Sequence, residues 1–490
     1  MRKLGSTLCA LLAAASAGAA PPPWLEVKSA HFTVVTNSGE KAGRRTAWQF
    51  EQIHSALVHL WPWARIDSGR PFFVFAVRDE ATLKTLGPEY WEGKRYRPIS
   101  FGASGRERQF IALRTDIVEP DEIGSNPYQS AYWSYVSTVF NRSFPRPLPV
   151  WYSRGIAEVM SNTIVRDKEL HVGRPIRGNL ELLQRALIPL NEFLTADHRS
   201  HWLRQESDAQ LFDAQAWALV HYLLFGEKGV HAARVNRFSQ LLHGGASDEA
   251  ALKEAFGDMT PYHDGMRGYV RRELFVYMRV PVSLDTRPEA YATRTLAAGE
   301  AAVLCGEFLV AMGRPAEARV FAAAAAKADA GLPGPWEIEA ELLDTGEDHE
   351  PAKAAYQKAV EAGSKHARVY YRLAQLDWAP SPDKAGLERR AALLEKAREL
   401  DPGRADTLSF LADVRVDLEQ REEALALAQK AVELEPGNSY HHLALARVLW
   451  SMGRREEAAV AARTALQAAG SEDERRRAQQ FLDFAGGRRQ

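Results

Sequence analysis

The sequence predicts an α+β domain followed by an all-α solenoid of helical repeats. Residues 24–285 combine early strand patterns with later helical patterns, which is the layout of an α+β domain. From about residue 296 the composition shifts to Ala, Glu, Leu and Arg, and Pro402 and Pro436 lie 34 residues apart. A fixed period of this length is a signature of stacked helical hairpins. The 490 residues are enough for both parts.

The first 19 residues predict a secretory signal peptide. Arg2 and Lys3 precede an apolar run, and Ala17 and Ala19 supply the small residues before a cleavage site. The apolar run is too short for a membrane anchor. Cys9 follows a bulky Leu, which does not favour a lipoprotein. We therefore expect a periplasmic or secreted protein with no integral membrane segment after cleavage.

Charge and cysteine content exclude several classes of function. The chain has 62 basic and 63 acidic residues, for a net charge of -1. This balance gives no electrostatic basis for a nucleic-acid partner. After signal cleavage only Cys305 remains, so neither an intrachain disulfide nor a cysteine zinc site is expected. Cys305 lies in an Ala-rich helical stretch and is predicted to be buried.

Strand patterns precede helical patterns in the first part. HFTVVT (31–36), PFFVFAV (71–77) and RQFIALRTD (108–116) predict strands. GASGRE (102–107) predicts a turn between strands and lacks the Gly-x-Ser-x-Gly pattern of a hydrolase. KELHVGRP predicts another strand carrying His171, with no carboxylate pattern tying it to a nucleophile, and His198 and His201 lack carboxylate partners in register. Helical periodicity covers 47–60, 130–140, 150–162, 214–225 and 232–242.

The second part carries internal repeats. The stretch 405–438 resembles the tetratricopeptide pattern and 439–470 follows it in register. The stretches 337–368, 370–404 and 299–332 fit the same pattern, which gives about five repeats within 296–484 and a polar end helix at 471–484. Such arrays form grooves that bind peptides or proteins. The alternative is an array that serves only as a scaffold or docks on the first domain.

Two segments of the first part carry a second resemblance. LPVWYSRGIAEVMSN (148–162) is similar to a Leu-Pro-x-Trp-Leu-x-Glu-Gly-Leu-Ala-Glu stretch. FDAQAWALVHYLLFG (212–226) is similar to a Tyr-Ala-Gln-Ser-Trp-Ala-Leu-Val-His-Tyr-Leu helix. With these segments, and with strands, helices and repeats in this order, the chain resembles the exported bacterial peptidase-MA-like proteins of the gluzincin class. The resemblance implies a gluzincin-like fold for 24–285.

The zinc-binding pattern of that class is missing here. A His-Glu-x-x-His helix would place two imidazoles at i and i+4, with a Glu on the next helix as third ligand. The expected helix, YQSAYWSYVSTVF (128–140), contains neither His nor Glu. The resemblance aligns Trp133 and Ser137 with the two His positions, Ser134 with the general base, Arg154 with the third ligand and Glu158 with a carboxylate that orients a ligand. The sequence therefore predicts no bound metal and no cofactor.

What remains is predicted to be a vestigial cleft. We expect Trp133, Arg154 and Glu158 to line it, with His221, Trp151 and Trp217 as further candidates. The alternative is that His221 and most of the tryptophans are core residues. Arg154 and Glu158 are spaced to form an ion pair on one helix, and Arg154 could hold the carboxylate of a ligand. The predicted function is that of a non-catalytic pseudo-metallopeptidase that binds protein or peptide partners through its repeats. The alternative is an active hydrolase or metallopeptidase whose ligands are not recognisable in the sequence.

Overall fold

The computed structural model describes residues 22–64, 66, 69–93, 97–117, 126–281, 287–377 and 382–486. They form two compact units. Unit 1 extends to Ala301 and also includes Glu307–Arg314, whereas unit 2 comprises Ala302–Gly306 and the residues from Pro315 onward. The predicted signal peptide, 1–19, lies outside the described residues.

Unit 1 is built on a mixed six-stranded sheet. Its strand order is β4-β5-β3-β2-β1-β9. Strands β2, β3 and β5 run parallel to each other, and the other neighbours pair antiparallel. The strands are β1 Leu25–Lys28, β2 Phe32–Thr36, β3 Phe72–Val77, β4 Ser100–Ser104, β5 Gln109–Arg114 and β9 Ala292–Thr295. A second, antiparallel sheet contains β6 Ile164–Val165, β7 Glu169–Val172 and β8 Met278–Pro281, in the order β6-β7-β8.

The three predicted core strands are confirmed as β2, β3 and β5. All six residues of β3 are buried, as expected for a central strand with apolar residues on both faces. The turn predicted at 102–107 is shorter in the structure, because residues 102–104 belong to β4. Residues 105–108 join β4 to β5, and the backbone N–H of Gly105 donates to the carbonyl of Arg108 at 2.9 Å. Three further strands, β1, β4 and β9, complete this sheet and were not predicted from the sequence.

Ten helices of unit 1 pack around these sheets in the described residues. They are α1 Glu40–Leu60, α2 Glu80–Leu86, α3 Gln129–Arg142, α4 Val150–Ser161, α5 Arg177–Leu183, α6 Leu190–Thr195, α7 Glu206–Phe225, α8 Ala232–His243, α9 Asp248–Ala255 and α10 Thr260–Tyr269. The five predicted helices of this part correspond to α1, α3, α4, α7 and α8. Helix α7 begins eight residues earlier than 214, and α1 seven residues earlier than 47.

Helix α4 is held closely between α3 and α7. Gly155 makes the approach to α7 possible, because a Cβ atom there would lie 2.6 Å from the backbone oxygen of Ala216. Around this contact, Ile156, Trp217 and Val220 belong to the buried core of unit 1. The close packing of α3, α4 and α7 brings together the residues that the sequence singled out.

A further helix, α11 Ala298–Ala311, follows β9. Its residue Phe308 is fully buried in unit 1. The Phe308 ring lies 5.2 Å from the ring of Phe75, 5.4 Å from that of Phe110 and 5.9 Å from that of Phe101. Arg108 donates a hydrogen bond to Glu307 on the same helix. The stretch predicted to open the first repeat therefore also covers an apolar face of the sheet.

Unit 2 is a run of helices joined by short turns. They are α12 Pro315–Ala328, α13 Gly334–Leu343, α14 Glu350–Glu361, α15 Ala367–Leu376, α16 Lys384–Leu400, α17 Ala405–Asp417, α18 Arg421–Leu434, α19 Ser439–Ser451, α20 Arg455–Ala468 and the end helix α21 Glu472–Ala485. From α13 to α20 they pair as four consecutive hairpins, whose first helices are α13, α15, α17 and α19.

Small residues sit at the same place in successive hairpins. Ala424 and Ala458 are fully buried, and so are Ala431 and Ala465. Each pair is separated by 34 residues, so the same helix–helix contact recurs in each repeat. Unit 2 is therefore an array of tetratricopeptide type, as the sequence predicts.

Two smaller expectations concern burial. Cys305 is a free cysteine with 3% exposure, which confirms it as a small core residue. Burial raises the pKa of its thiol to about 12, so the reactive thiolate is not populated near neutral pH. None of the described helices is long and apolar enough to cross a membrane.

Candidate functional site

Two of the positions aligned with a zinc site, 133 and 154, meet at the contact between α3 and α4. Helix α3 carries Trp133, Ser134 and Ser137, and helix α4 carries Arg154 and Glu158. Ser134 lies against β4, where a Cβ atom on Gly102 would collide with its hydroxyl. The guanidinium carbon of Arg154 lies 5.3 Å from the centre of the Trp133 ring, which is within cation–π range. The structure therefore brings the first and third aligned ligand positions into contact.

Arg154 forms a two-pronged ion pair with Asp213 of helix α7. Its Nη2 donates to Oδ2 of Asp213 at 2.6 Å, and its Nε donates to Oδ1. The two side chains are only 23% and 21% exposed. Parallel N–H donors match a carboxylate in this geometry, which gives both strength and orientation. The predicted ion pair between Arg154 and Glu158 was wrong. Arg154 pairs instead with Asp213 on α7, whose carboxylate matches the two parallel N–H donors of the guanidinium.

Glu158 is a third ionisable group at this contact. Burial raises its pKa, the negative charge of Asp213 raises it further, and Arg154 opposes both effects. A carboxyl with a raised pKa holds its proton at higher pH than a solvated one. Burial raises the pKa of Asp213 as well, and Arg154 opposes that shift. With Asp213 ionised and Glu158 protonated, the cluster is balanced in charge.

Asp213 was missed by the sequence analysis. It is 59 residues from Arg154 along the chain, so helical spacing does not connect them. One signal was available, because Asp213 stands before Ala-Gln where the stretch that FDAQAWALVHYLLFG resembles has Tyr. Asp213 on α7 and Arg154 on α4 both differ from the residues in the stretches that this sequence resembles, and their charges compensate each other.

The residues at this contact do not fit a zinc ion. Zinc in proteins is bound by imidazole, thiolate or carboxylate groups. Trp133 and Ser137 supply none of these, and Arg154 adds a positive charge that repels a cation. Among the described residues of unit 1, no three His, Cys, Asp or Glu side chains bring their ligand atoms together. No catalytic step through a metal is derived for this site.

His221, Trp151 and Trp217 do not line a cleft, contrary to the expectation. Their exposures are 0%, 2% and 0%. Trp151 stacks on Phe238, with ring centres 5.8 Å apart. Trp217 and His221 are core residues because α7 is apolar on all sides and is covered by neighbouring helices over most of its length. Trp151, at the start of α4, belongs to the same hydrophobic core.

The buried His221 is fully used in hydrogen bonds. Its Nε2 lies 2.6 Å from the carbonyl oxygen of Gly173, and its Nδ1 lies 2.9 Å from the hydroxyl of Tyr269. A neutral ring that donates from Nε2 and accepts at Nδ1 satisfies both partners. Burial lowers the pKa of His221 to about 4, and the bond to Gly173 opposes that shift only in part.

We predict that this histidine makes unit 1 sensitive to acid. Because its folded pKa is depressed below the ordinary value of 6.5, it contributes stability above about pH 6.5 that is lost as the pH falls toward 4. The free energy of unfolding should drop by about 2 kcal/mol between about pH 7.5 and about pH 5 on this account. Urea titrations of unit 1 by tryptophan fluorescence should show a smaller drop for His221→Gln. His198→Gln, at an exposed position, should behave like the natural protein, and equal drops in all three would contradict the assignment.

The remaining histidine candidates show no site. The Nε2 atom of His171 on β7 lies 2.7 Å from Oε1 of Glu169, a neighbour on the same strand face. His198 is exposed, and His201 begins a short 3₁₀ helix, His201–Leu203. Their surroundings give no evidence that these three histidines belong to a metal or catalytic site.

In unit 2 the first helices carry a row of aromatic and charged side chains. The ring of Tyr371 on α15 lies 6.0 Å from that of Phe410 on α17. Arg447 on α19 donates from Nη2 to Oδ2 of Asp413 on α17 at 2.6 Å and lies 5.9 Å from the centre of the Tyr440 ring. These five residues are half-buried. We call them the first-helix row.

A buried carboxylate anchors the start of this row. Asp344, at the end of α13, has a side chain that is only 1% exposed. Its Oδ2 accepts from Nε of Arg372 at 2.8 Å and from the Tyr356 hydroxyl at 3.2 Å. Arg372 is next to Tyr371, so the ion pair fixes the position of α15 relative to α13. The aromatic groups of the row are therefore carried on a rigid support.

The solved structures that match this chain include proteins of the tetratricopeptide-repeat (TPR) type. No family model matches the sequence, and no curated protein matches it. Solved structures that match include YrrB, described as a TPR protein with an unusual peptide-binding site, at 16% identity and TM-score 0.31, over 37% of this chain and 91% of that chain. They also include the TPR protein TTC0263 of Thermus thermophilus, at 26% identity and TM-score 0.28, over 38% of this chain and 99% of that chain. PilF of Pseudomonas aeruginosa matches at 20% identity and TM-score 0.30, over 39% of this chain and 88% of that chain.

These similarities cover well under half of this chain, at low TM-scores. The assignment of unit 2 as a repeat array rests on its own helices and on their 34-residue period.

Proposed function

We propose that this protein binds a peptide or a protein segment through the first-helix row of unit 2. The observation that carries the proposal is the row itself, in which half-buried aromatic rings alternate with charged groups on consecutive first helices. Rigid aromatic side chains supply contact area at low entropic cost, and paired charges supply direction. A peptide-binding site is also named for YrrB, one of the matching repeat proteins.

Paired substitutions test this proposal. Peptides selected from a random display library on the full chain should bind Tyr371→Ala/Phe410→Ala at least about 10-fold more weakly, because hot-spot aromatic groups each contribute more than about 1 kcal/mol. The control is Val460→Ala, which shortens a 56% exposed side chain on the second helix α20. Fluorescence anisotropy gives the affinities. Equal affinities for the aromatic double variant and the natural protein would reject the first-helix row as the site.

We propose in addition that unit 1 is a gluzincin-like domain without zinc chemistry. The resemblance of 148–162 and 212–226 to peptidase-MA-like proteins supports this, together with the contact between Trp133 and Arg154 at two aligned ligand positions. Asp213 neutralises the arginine that stands in place of the third ligand. The carboxylate that Arg154 binds is thus that of Asp213 in the same chain and not that of a ligand.

Export is a separate proposal that rests on residues 1–19 alone. The mature chain should begin at Ala20 in the periplasm or the medium, and intact-mass spectrometry of the fractionated protein measures this directly. A chain that retains Met1 and stays in the cytoplasm would contradict it.

A further inference from the structure

An apolar cavity of about 220 Å³, open to solvent on one side, lies in unit 1. Its floor is formed by the side chains of Trp61, Ile156, Val159, Met160 and Val235, all of which are at most 5% exposed. These come from the end of α1, from α4 and from α8. A molecule that covers this apolar floor gains by removing apolar surface from water.

The rim of the cavity is more accessible than its floor. Leu224, Phe225, Ala232 and Met278 line it and are half-buried. A small ligand therefore has a route between the end of α7 and the start of α8. Phe225 is seated by Gly173, where an added Cβ atom would collide with the phenyl ring.

An exposed polar side chain, that of Asn236 on α8, lies at the rim of the cavity. Among the described residues that line the cavity, only Asn236 and Trp61 carry a nitrogen or oxygen atom in the side chain. The Oδ1 atom of Asn236 accepts a hydrogen bond from Nε1 of Trp63 at 3.0 Å, which fixes the orientation of the amide. The amide Nδ2 then remains as a donor for a group at the rim. An apolar pocket with one oriented polar group is the usual composition of a small-molecule site.

The backbone beside the rim is held in a costly conformation. Glu227, Lys228 and Gly229 have φ angles of 49°, 64° and 77° in succession. Left-handed conformations are strained at residues other than glycine and concentrate at functional sites. The Tyr222 hydroxyl donates to Oε1 of Glu227 at 2.9 Å and holds the turn. This turn connects Phe225 to Ala232 and so sets the width of the entrance.

We propose that this cavity binds a small, mostly apolar molecule that carries one hydrogen-bond acceptor. An apolar cavity of roughly 150 Å³ accepts benzene, so about 220 Å³ suits a ligand of roughly ten non-hydrogen atoms. The acceptor meets Nδ2 of Asn236, and the hydrocarbon part lies against Trp61 and Val159. An aryl ketone or a short-chain ester has this composition. The site does not depend on the proposed peptide binding by unit 2.

Two probes of similar shape test the proposal on the full chain. Acetophenone carries a carbonyl acceptor, whereas ethylbenzene does not. Both should show saturable binding by ligand-observed NMR. Asn236→Ala should weaken acetophenone about 5-fold, the equivalent of one net hydrogen bond, and leave ethylbenzene unchanged.

Two tryptophan substitutions locate the site. Ala232→Trp places an indole at the rim and should weaken both probes at least about 10-fold by filling the entrance. Ala233→Trp adds the same group to the exposed neighbouring position and should leave binding unchanged. Because neither position belongs to the buried floor of the cavity, both variants should keep the natural melting temperature within a few degrees. No saturable binding of either probe, or equal binding to the Ala232 variant and the natural protein, would overturn the proposal.

Discussion

Replacement of Asp213 by Ala is expected to destabilise unit 1 by about 3 kcal/mol. Arg154 would keep its charge between α3, α4 and α7 with its carboxylate partner removed. The loss of Asp213 removes one cause of the raised pKa of Glu158, but burial, the largest cause, remains and limits Glu158 as a substitute counter-ion. Removing one member of a buried ion pair costs more than the pair contributes, because the other charge stays desolvated. Urea titration of unit 1 by tryptophan fluorescence measures the change.

A double variant separates desolvation from loss of packing. Arg154→Met combined with Asp213→Leu removes both charges and should recover most of the lost free energy. The external control is Arg237→Ala, which breaks a pair to Glu254 whose side chains are 54% and 53% exposed and should cost less than about 1 kcal/mol. If Asp213→Ala costs no more than this control, the pair does not hold α4 against α7.

Returning metal ligands to the contact between α3 and α4 is expected to create a zinc site. The variant combines Trp133→His, Ser137→His and Arg154→Glu with Asp213→Asn, which prevents repulsion between two carboxylates. Positions 133 and 137 are one turn apart on α3, and residue 154 already touches residue 133. Three such ligands on two packed helices match a zinc site with an open position. Ser134 stays unchanged because it packs against β4.

The expected result is about one zinc per chain after dialysis, with Kd in the micromolar range or tighter. A control variant moves the second histidine from position 137 to Thr138, which turns it about 100° around the helix away from the first. That variant should retain far less zinc. If both variants are folded by circular dichroism and neither retains zinc, the alignment of unit 1 with a gluzincin site is wrong.

The repeats and the core of the sheet could be read from the sequence because each rests on a periodic signal. Ala424 and Ala458 mark the same helix contact 34 residues apart, and the six apolar residues of β3 mark a central strand. Strands β1 and β9 carried no such signal. Both are four residues long, and the side chains of β9 are mostly exposed. Strand β1 pairs with its neighbour β2, whereas β9 pairs with β1 across more than 260 residues, which no local pattern indicates.

The candidate site was predictable in part for the same reason. The positions of Trp133 and Arg154 came from a resemblance that spans contiguous segments, and the structure brings the two residues together. The partner of Arg154 depends on which helix packs across from it, which no local pattern specifies. Likewise, the sequence of the apolar helix α7 does not show which of its faces other helices cover. His221 was therefore a candidate for the cleft, whereas the structure shows a core residue with 0% exposure.

Zinc analysis of the natural protein tests the central claim most directly, namely that this chain acts by binding and that unit 1 holds no catalytic metal. The protein is purified from zinc-supplemented cells, dialysed without chelator and analysed for metal by mass spectrometry. The account predicts far less than one zinc per chain. A stoichiometry near one, lost on substitution of one particular histidine in unit 1, would contradict it and make that histidine the starting point for a peptidase assay.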